Sequence, residues 1–269
     1  MPASKLKNLV ILILLFANLF LLALAVPSYL EKQTQAQTAA SALSELFAQA
    51  EVTLDPSIIP SSPELYPQEV SCAPADNLAA VTALLGDQVI SAEQAFRTDF
   101  RSASGTAYLT IGGEFRCEPT AIASDDPHAE TVRLLEKMGG EWDSVSHSGE
   151  LYFAAQKIGG VPVLSNRLSF SWKNGELRVV SGRLVAGETA RRAKQTPSCT
   201  AQDALLAFYA SRLELGWVGS RIESVQQGFV IADSASPAAV QLIPSWRIAT
   251  DGGAYLVDGI SRAVTPSET

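Results

Sequence analysis

Polar and apolar side chains alternate from Leu164 to Trp172, with Asn166 the one polar residue on the apolar side. Leu164, Asn166, Leu168, Phe170 and Trp172 point one way, and Ser165, Arg167, Ser169 and Ser171 point the other. A period of two describes a strand with one buried and one wet face. Strand-like segments at residues 151–158 and 177–185 flank this one, joined at Gly159-Gly160 and at Asn174-Gly175, the second a strong two-residue hairpin signal. Just upstream the period becomes helical. Asp126 caps a helix with Pro127 at its first position, Val132, Leu135 and Met138 share one face, and Gly139-Gly140 ends it.

The same order is written twice more. Asp76 caps a short helix over residues 78–85 that Gly86 stops, and strands follow at 94–101, 107–111 and 114–117, the last two around Gly112-Gly113. Thr200 and Asp203 form a variant capping box ahead of an apolar face of Leu205, Phe208, Tyr209, Leu213 and Leu215. Strands at 221–232, 240–250 and 254–258 follow, the last pair turning at Asp251-Gly252. A helix followed by an antiparallel meander, repeated, predicts an α+β fold in which each helix covers its own sheet. The units expected are 76–125, 126–190 and 191–269.

Ahead of these units, Ala36, Ala40, Leu43, Phe47, Ala50 and Leu54 keep a 4-3-4-3-4 spacing, one stripe of a helix that stops before Asp55-Pro56. Pro56, Pro60, Pro63, Pro67 and Pro74 then make 55–75 an extended linker, so 31–75 reads as a helical stalk and linker, the short Ala-rich stripe suited as well to packing on its own domain as to a coiled coil with another chain. From Asn8 to Leu30 there are 23 residues without a formal charge, about 34 Å as a helix, enough to cross a bilayer core. The expectation is a transmembrane helix over 9–30, with residues 1–8 in the cytoplasm because Lys5 and Lys7 precede the run while Glu31 and Lys32 cancel after it. A cleaved signal peptide is the competing reading, since Ala23 and Ala25 make a small-x-small pattern, but its apolar core spans only about 7–15 residues. Within the span Ala17, Asn18, Ala23 and Ala25 are the positions suited to contact with a partner helix.

Composition narrows the function classes. With 47% hydrophobic and 18% charged residues the chain is not disordered. Residues 1–32 hold three of the 20 basic and one of the 28 acidic groups, so the remainder carries −10. So acidic a body has no general grip on phosphate backbones, which argues against a nucleic-acid partner. Outside the cell Cys72, Cys117 and Cys199 permit one disulfide and one leftover thiol, the pairing undetermined. Only His128 and His147 are available as histidines, so no metal cluster, and no cofactor motif, is read. Cys199, in PSCT, lacks a neighbouring histidine, leaving a hydrolase built on it with His128 or His147 as a remote alternative. Asp125-Asp126 and Asp251 read as cap and turn residues, Arg191, Arg192 and Lys194 as a solvated linker, and Trp172 and Trp246 as core anchors. No enzyme is expected.

The segments SKLKNLVILILLFANLFLL, LFAQAEVTLDPSIIP and PSWRIATDGGAYLVDGISRAV together resemble the YycI-like family of two-component regulatory proteins. The matching positions are Lys5, Lys7, Asn18 to Leu22, Ile59-Pro60, Pro244, Trp246, Ile248, Thr250, Gly252 and Tyr255. The chain opens MPASK, without the tryptophan usual near the family's first lysine. The final hairpin also resembles PepSY-like modules. The resemblance implies a single-pass membrane protein of Gram-positive bacteria, its bulk extracytoplasmic. It would act in a hetero-oligomer with a YycH-like membrane protein to modulate a sensor histidine kinase of cell-wall homeostasis. It implies no catalytic residues. The alternative is a PepSY-like binding or inhibitory module for a secreted protease, peptide or cell-wall polymer.

Overall fold

The computed structural model describes residues 37–185, 191–192 and 196–267, together with Leu14. Helix α1 covers residues 37–48 and is followed by β1 (Gln68–Ser71) and α2 (Leu78–Leu85). Strands β2 (Ile90–Glu93), β3 (Arg97–Ser102), β4 (Gly105–Thr110) and β5 (Glu114–Pro119) lead to α3 (Pro127–Met138). Next come β6 (Glu141–Trp142), β7 (Ser146–Ser148), β8 (Leu151–Ile158), β9 (Val161–Lys173), β10 (Glu176–Arg183) and β11 (Arg191–Arg192). Helix α4 (Ala201–Ser211) precedes β12 (Ile222–Asp233), β13 (Ala239–Thr250), β14 (Gly253–Asp258) and β15 (Val264–Pro266).

Local chemistry accounts for the element boundaries. The Asp126 carboxylate accepts the Ala129 N–H at 3.0 Å, satisfying one of the free donors at the start of α3. At α4 the Thr200 hydroxyl accepts the Asp203 N–H while the Asp203 carboxylate accepts the Thr200 N–H, a reciprocal cap. The β9–β10 hairpin turns on Asn174 and Gly175, both at positive φ (53° and 76°), as a type I′ turn requires.

The assembly departs from the α+β fold of separate helix-plus-meander units. Among the described residues, the fifteen strands join one mixed sheet. Strand β5 of the expected first unit pairs with β10 of the second, Cys117 opposite Val180, and α2 and α3 bury Val81, Leu84, Leu134 and Leu135 in one core. The physical reason is size: α2 spans eight residues and cannot cover a sheet alone. The transmembrane helix belonging to the same expectation falls on residues 9–30, which lie outside the described residues apart from Leu14. Among the described residues no helix is long and apolar enough to cross a membrane.

One further expectation changes. Residues 55–75 are not merely a linker, because β1 pairs with β13 and buries Val70, and Leu65 is buried beside it. Of the two arrangements open to the α1 stripe, the structure shows packing on the chain's own body. Ala40, Leu43 and Phe47 are buried, and Leu43 and Phe47 lie in one core with Leu205 and Phe208 of α4 and Trp246 and Ile248 of β13. Packing within one chain therefore satisfies the stripe read from the sequence.

The molecule has two halves. In one, α2 and α3 cover β3–β5 and β8–β10. In the other, α1 and α4 cover β12–β14. The first half comes from the continuous stretch 76–185, whereas the second is assembled from both sides of it, residues 37–71 and 191–267. They meet where β9 and β12 run side by side, Val163 beside Phe229, the one parallel pairing between named strands among the described residues. A third core fills this joint with Val70, Cys72, Ile158, Val163, Phe229, Val240 and Leu242.

Strand β9 serves both sides. Leu168, Phe170 and Trp172 are buried in the first core as the alternation predicts, but Val163, of opposite parity, is buried in the joint, while Leu164 is only half-buried. Over thirteen residues strand twist carries the polypeptide from one core to the next.

Candidate functional site

A deep concavity lies beside the joint. Helix α3 ends at Gly139 and Gly140, both at φ 76°, which glycine adopts without steric cost. The chain then enters β6, placing Glu141 opposite Lys157 and Trp142 opposite Gln156 of β8. Residues Asp76 and Asn77 at the start of α2 face the same space. Between them opens a cleft of about 720 Å³. Its apolar lining mixes Ala80, Met138 and Leu184 of the first core with Ile158 and Val185 of the joint. All of its lining comes from the first half, and it reaches the joint through Ile158 and Val185; concave, partly apolar sites of this size are common ligand sites.

Polar groups hold this lining in place. Gln156, 5% exposed, donates from Nε2 to the Val185 carbonyl at 2.6 Å and accepts the Val185 N–H on Oε1 at 3.1 Å. Asn166 does the same to Arg183, donating to its carbonyl at 2.6 Å and accepting its N–H at 3.2 Å. Two side-chain amides thus stand in for a neighbouring strand where β10 leaves β9. The Trp142 indole N–H donates to the Gly139 carbonyl at 2.7 Å, fixing the ring beside the helix end. Glu141 accepts the Gly160 N–H at 2.7 Å, Asp76 accepts the Ser71 hydroxyl, and Lys157 lies 3.3 Å from Asp143. Carboxylates and a pinned aromatic ring around an apolar floor are groups that can hold a small ligand.

The residues singled out from sequence lie elsewhere. Ala17, Asn18, Ala23 and Ala25 fall outside the described residues. Pro244, Trp246, Ile248 and Thr250 belong to β13, Tyr255 to β14, and Gly252 to the turn between them. Trp246, 1% exposed, donates its indole N–H to the Cys199 carbonyl at 3.0 Å, and Ile248 pairs with Tyr255 under α4. The Thr250 hydroxyl accepts the Trp217 indole N–H at 3.1 Å and donates to the Gly253 carbonyl at 2.7 Å. This hairpin is the floor of the second core.

Cys72, Cys117 and Cys199 are free thiols. Burial pushes the Cys72 thiol up to about 11 and Cys117 to about 12, and burial followed by the Asp203 charge raises Cys199. Such thiols are poor nucleophiles at neutral pH. His128 and His147 flank Tyr152, with ring centroids 6.3 and 5.5 Å away. Arg191 and Arg192, expected in a linker, form β11 and pair with Glu69 and Gln68 of β1.

Sequence reasoning missed the cleft. One signal was present: in the alternation of 151–158, Gln156 takes the inward position between Ala154 and Ile158, a lone amide on a buried face.

No family model matches the chain, and no curated protein matches it. A solved structure of an uncharacterized protein from Eubacterium rectale superposes with a TM-score of 0.48 at 6% identity, over 76% of this chain and 87% of that one.

Proposed function

We propose that this is an extracytoplasmic regulatory protein, held at the cell membrane by the uncharged run of residues 8–30, that modulates a sensor histidine kinase together with a YycH-like partner. Support comes from the sequence resemblance at both chain ends. The observation that carries the reading is the burial of α1. Phe47 is fully buried and meets Tyr209 of α4 edge-on, ring centroids 5.1 Å apart. Whatever precedes residue 37 therefore joins a helix belonging to the core of the body. A ligand or partner that binds one arrangement of the joint better than another shifts the population of that arrangement, and α1 carries the difference to the membrane run. Interhelical contacts of about 1–2 kcal/mol are sufficient to move a balanced kinase equilibrium several-fold.

The experiment is an insertion of a flexible Gly-Ser segment between residues 36 and 37. It leaves the membrane run and the body intact and breaks only their mechanical link. Kinase-dependent reporter output is expected to shift to that of a strain lacking the protein, while the amount in the membrane fraction stays unchanged. Undiminished regulation would sink the reading.

The second reading, a PepSY-like binding module, is favoured by the edge strand β2. Among the described residues it pairs only with β3, all four of its residues are exposed, and Ile90 and nearby Phe96 are 78% and 72% exposed. Such an edge can accept an extended peptide as an added strand. An empty pull-down from secreted and cell-wall fractions would count against it.

A further inference from the structure

We propose that the cleft beside the joint binds an organic cation, a protonated amine or guanidinium carried on an apolar chain. The proposal rests on reading this cleft as the surface where the body meets its ligand.

Three features of the lining converge on that chemistry. Two carboxylates, Asp76 and Glu141, face the space, and each is held by one hydrogen-bond donor. Neither has an ion-pair partner within 4.0 Å among the described residues, since the cleft's own cation, Lys157, is engaged by Asp143. The C-terminal end of α3 opens at Gly139-Gly140, the negative end of the helix dipole, and Lys137 of its last turn does not line the cleft. The Trp142 ring is fixed beside this end by its own N–H, and an indole face attracts a cation more strongly than other aromatic rings do. Beneath these groups Ala80, Met138 and Leu184 offer apolar surface to the chain bearing the charge. A neutral ligand would use only the floor, and an anion would meet both carboxylates.

The test uses the full chain in neutral detergent and tryptophan fluorescence. Butylguanidinium is expected to give a saturable change, and 1-butanol, of similar apolar length without the charge, to bind at least about tenfold more weakly. Trp142→Phe should remove the signal. Glu141→Gln and Asp76→Asn keep an acceptor for Gly160 and Ser71 while removing the charge, and each should weaken binding about tenfold. Tighter binding of a tetra-arginine peptide than of butylguanidinium would assign the cation to a polypeptide, and equal binding to a small free amine. If 1-butanol binds as tightly as butylguanidinium, or the two charge-removing variants bind unchanged, the cation class is wrong although the cleft still binds ligand. If neither probe binds, both the cation and the reading of the cleft fall.

Discussion

At the scale of single residues, polar side chains settle details that hydrophobic pattern alone gets wrong. The helical stripe of α3 puts Val132 inside, yet Val132 is exposed and Thr131 is fully buried. Thr131 is admitted because its hydroxyl is satisfied twice, donating to the Pro127 carbonyl at 2.7 Å and accepting the Trp172 indole N–H at 3.0 Å. Thr131→Val keeps the shape but leaves the indole N–H unpaired, and should cost about 1–3 kcal/mol in urea unfolding. Val132→Thr should stay within about 0.5 kcal/mol. Asp251 is a second case. Its carboxylate accepts the Ser220 N–H and hydroxyl and the Arg221 N–H, and these bonds hold its pKa below the usual carboxylate value. A depressed folded pKa contributes stability above the unfolded value of about 3.9 that is lost as pH falls through the folded one. In acid titrations Asp251→Asn should therefore show a shallower loss of stability below about pH 4 than the parent. An identical acid limb in both proteins would refute this.

At the scale of elements, caps and hairpins were legible because their chemistry is local. Thr200 with Asp203, Asp126 with Pro127, and Asn174-Gly175 each announce a boundary within a few residues, and the structure has those boundaries. Helix α1 shows where legibility stops. The stripe runs on to Leu54, but the helix closes at residue 48 and the chain turns at Glu51, φ 60°, with the Val52 N–H returning to the Phe47 carbonyl at 3.0 Å. Leu54 is still buried, reaching the same core by another path. Neighbouring strands were illegible for a different reason. A period of two says which face of a strand is dry, not which strand lies beside it, so the β5–β10 and β9–β12 pairings could not be read. Phe47 gives the element-scale prediction. Phe47→Ala removes the ring that meets Tyr209 and should destabilise the protein by about 3–5 kcal/mol, measured by chemical unfolding.

At the scale of the molecule the joint decides whether two halves behave as one. Strand β12 passes so close to β9 that a Cβ on Gly228 would lie 2.5 Å from the Leu164 Cγ and 2.6 Å from the Pro162 carbonyl oxygen. A side chain can move aside, but a strand backbone cannot do so without disturbing its pairing. Gly228→Ala should thus push the two halves apart and lower stability by at least about 1–3 kcal/mol. Calorimetry should show the single transition of the parent broaden or split; an unchanged, sharp transition would mean that the joint does not couple the halves.

The division of the second half between the two sides of the first also sets an order of events. Synthesis delivers the N-terminal residues first, and domains generally fold as their residues emerge. Here the first described helix finds Leu205, Phe208, Trp246 and Val257 only after nearly the whole chain has been made, while residues 76–185 have their own helices and strands to hand much earlier. Helix α1, which follows the uncharged run of residues 8–30, is made early and is among the last elements to find its partners. A chain interrupted before β14 would carry a finished first half and an uncovered α1, so loss of the C-terminus should be felt at the opposite end of the sequence.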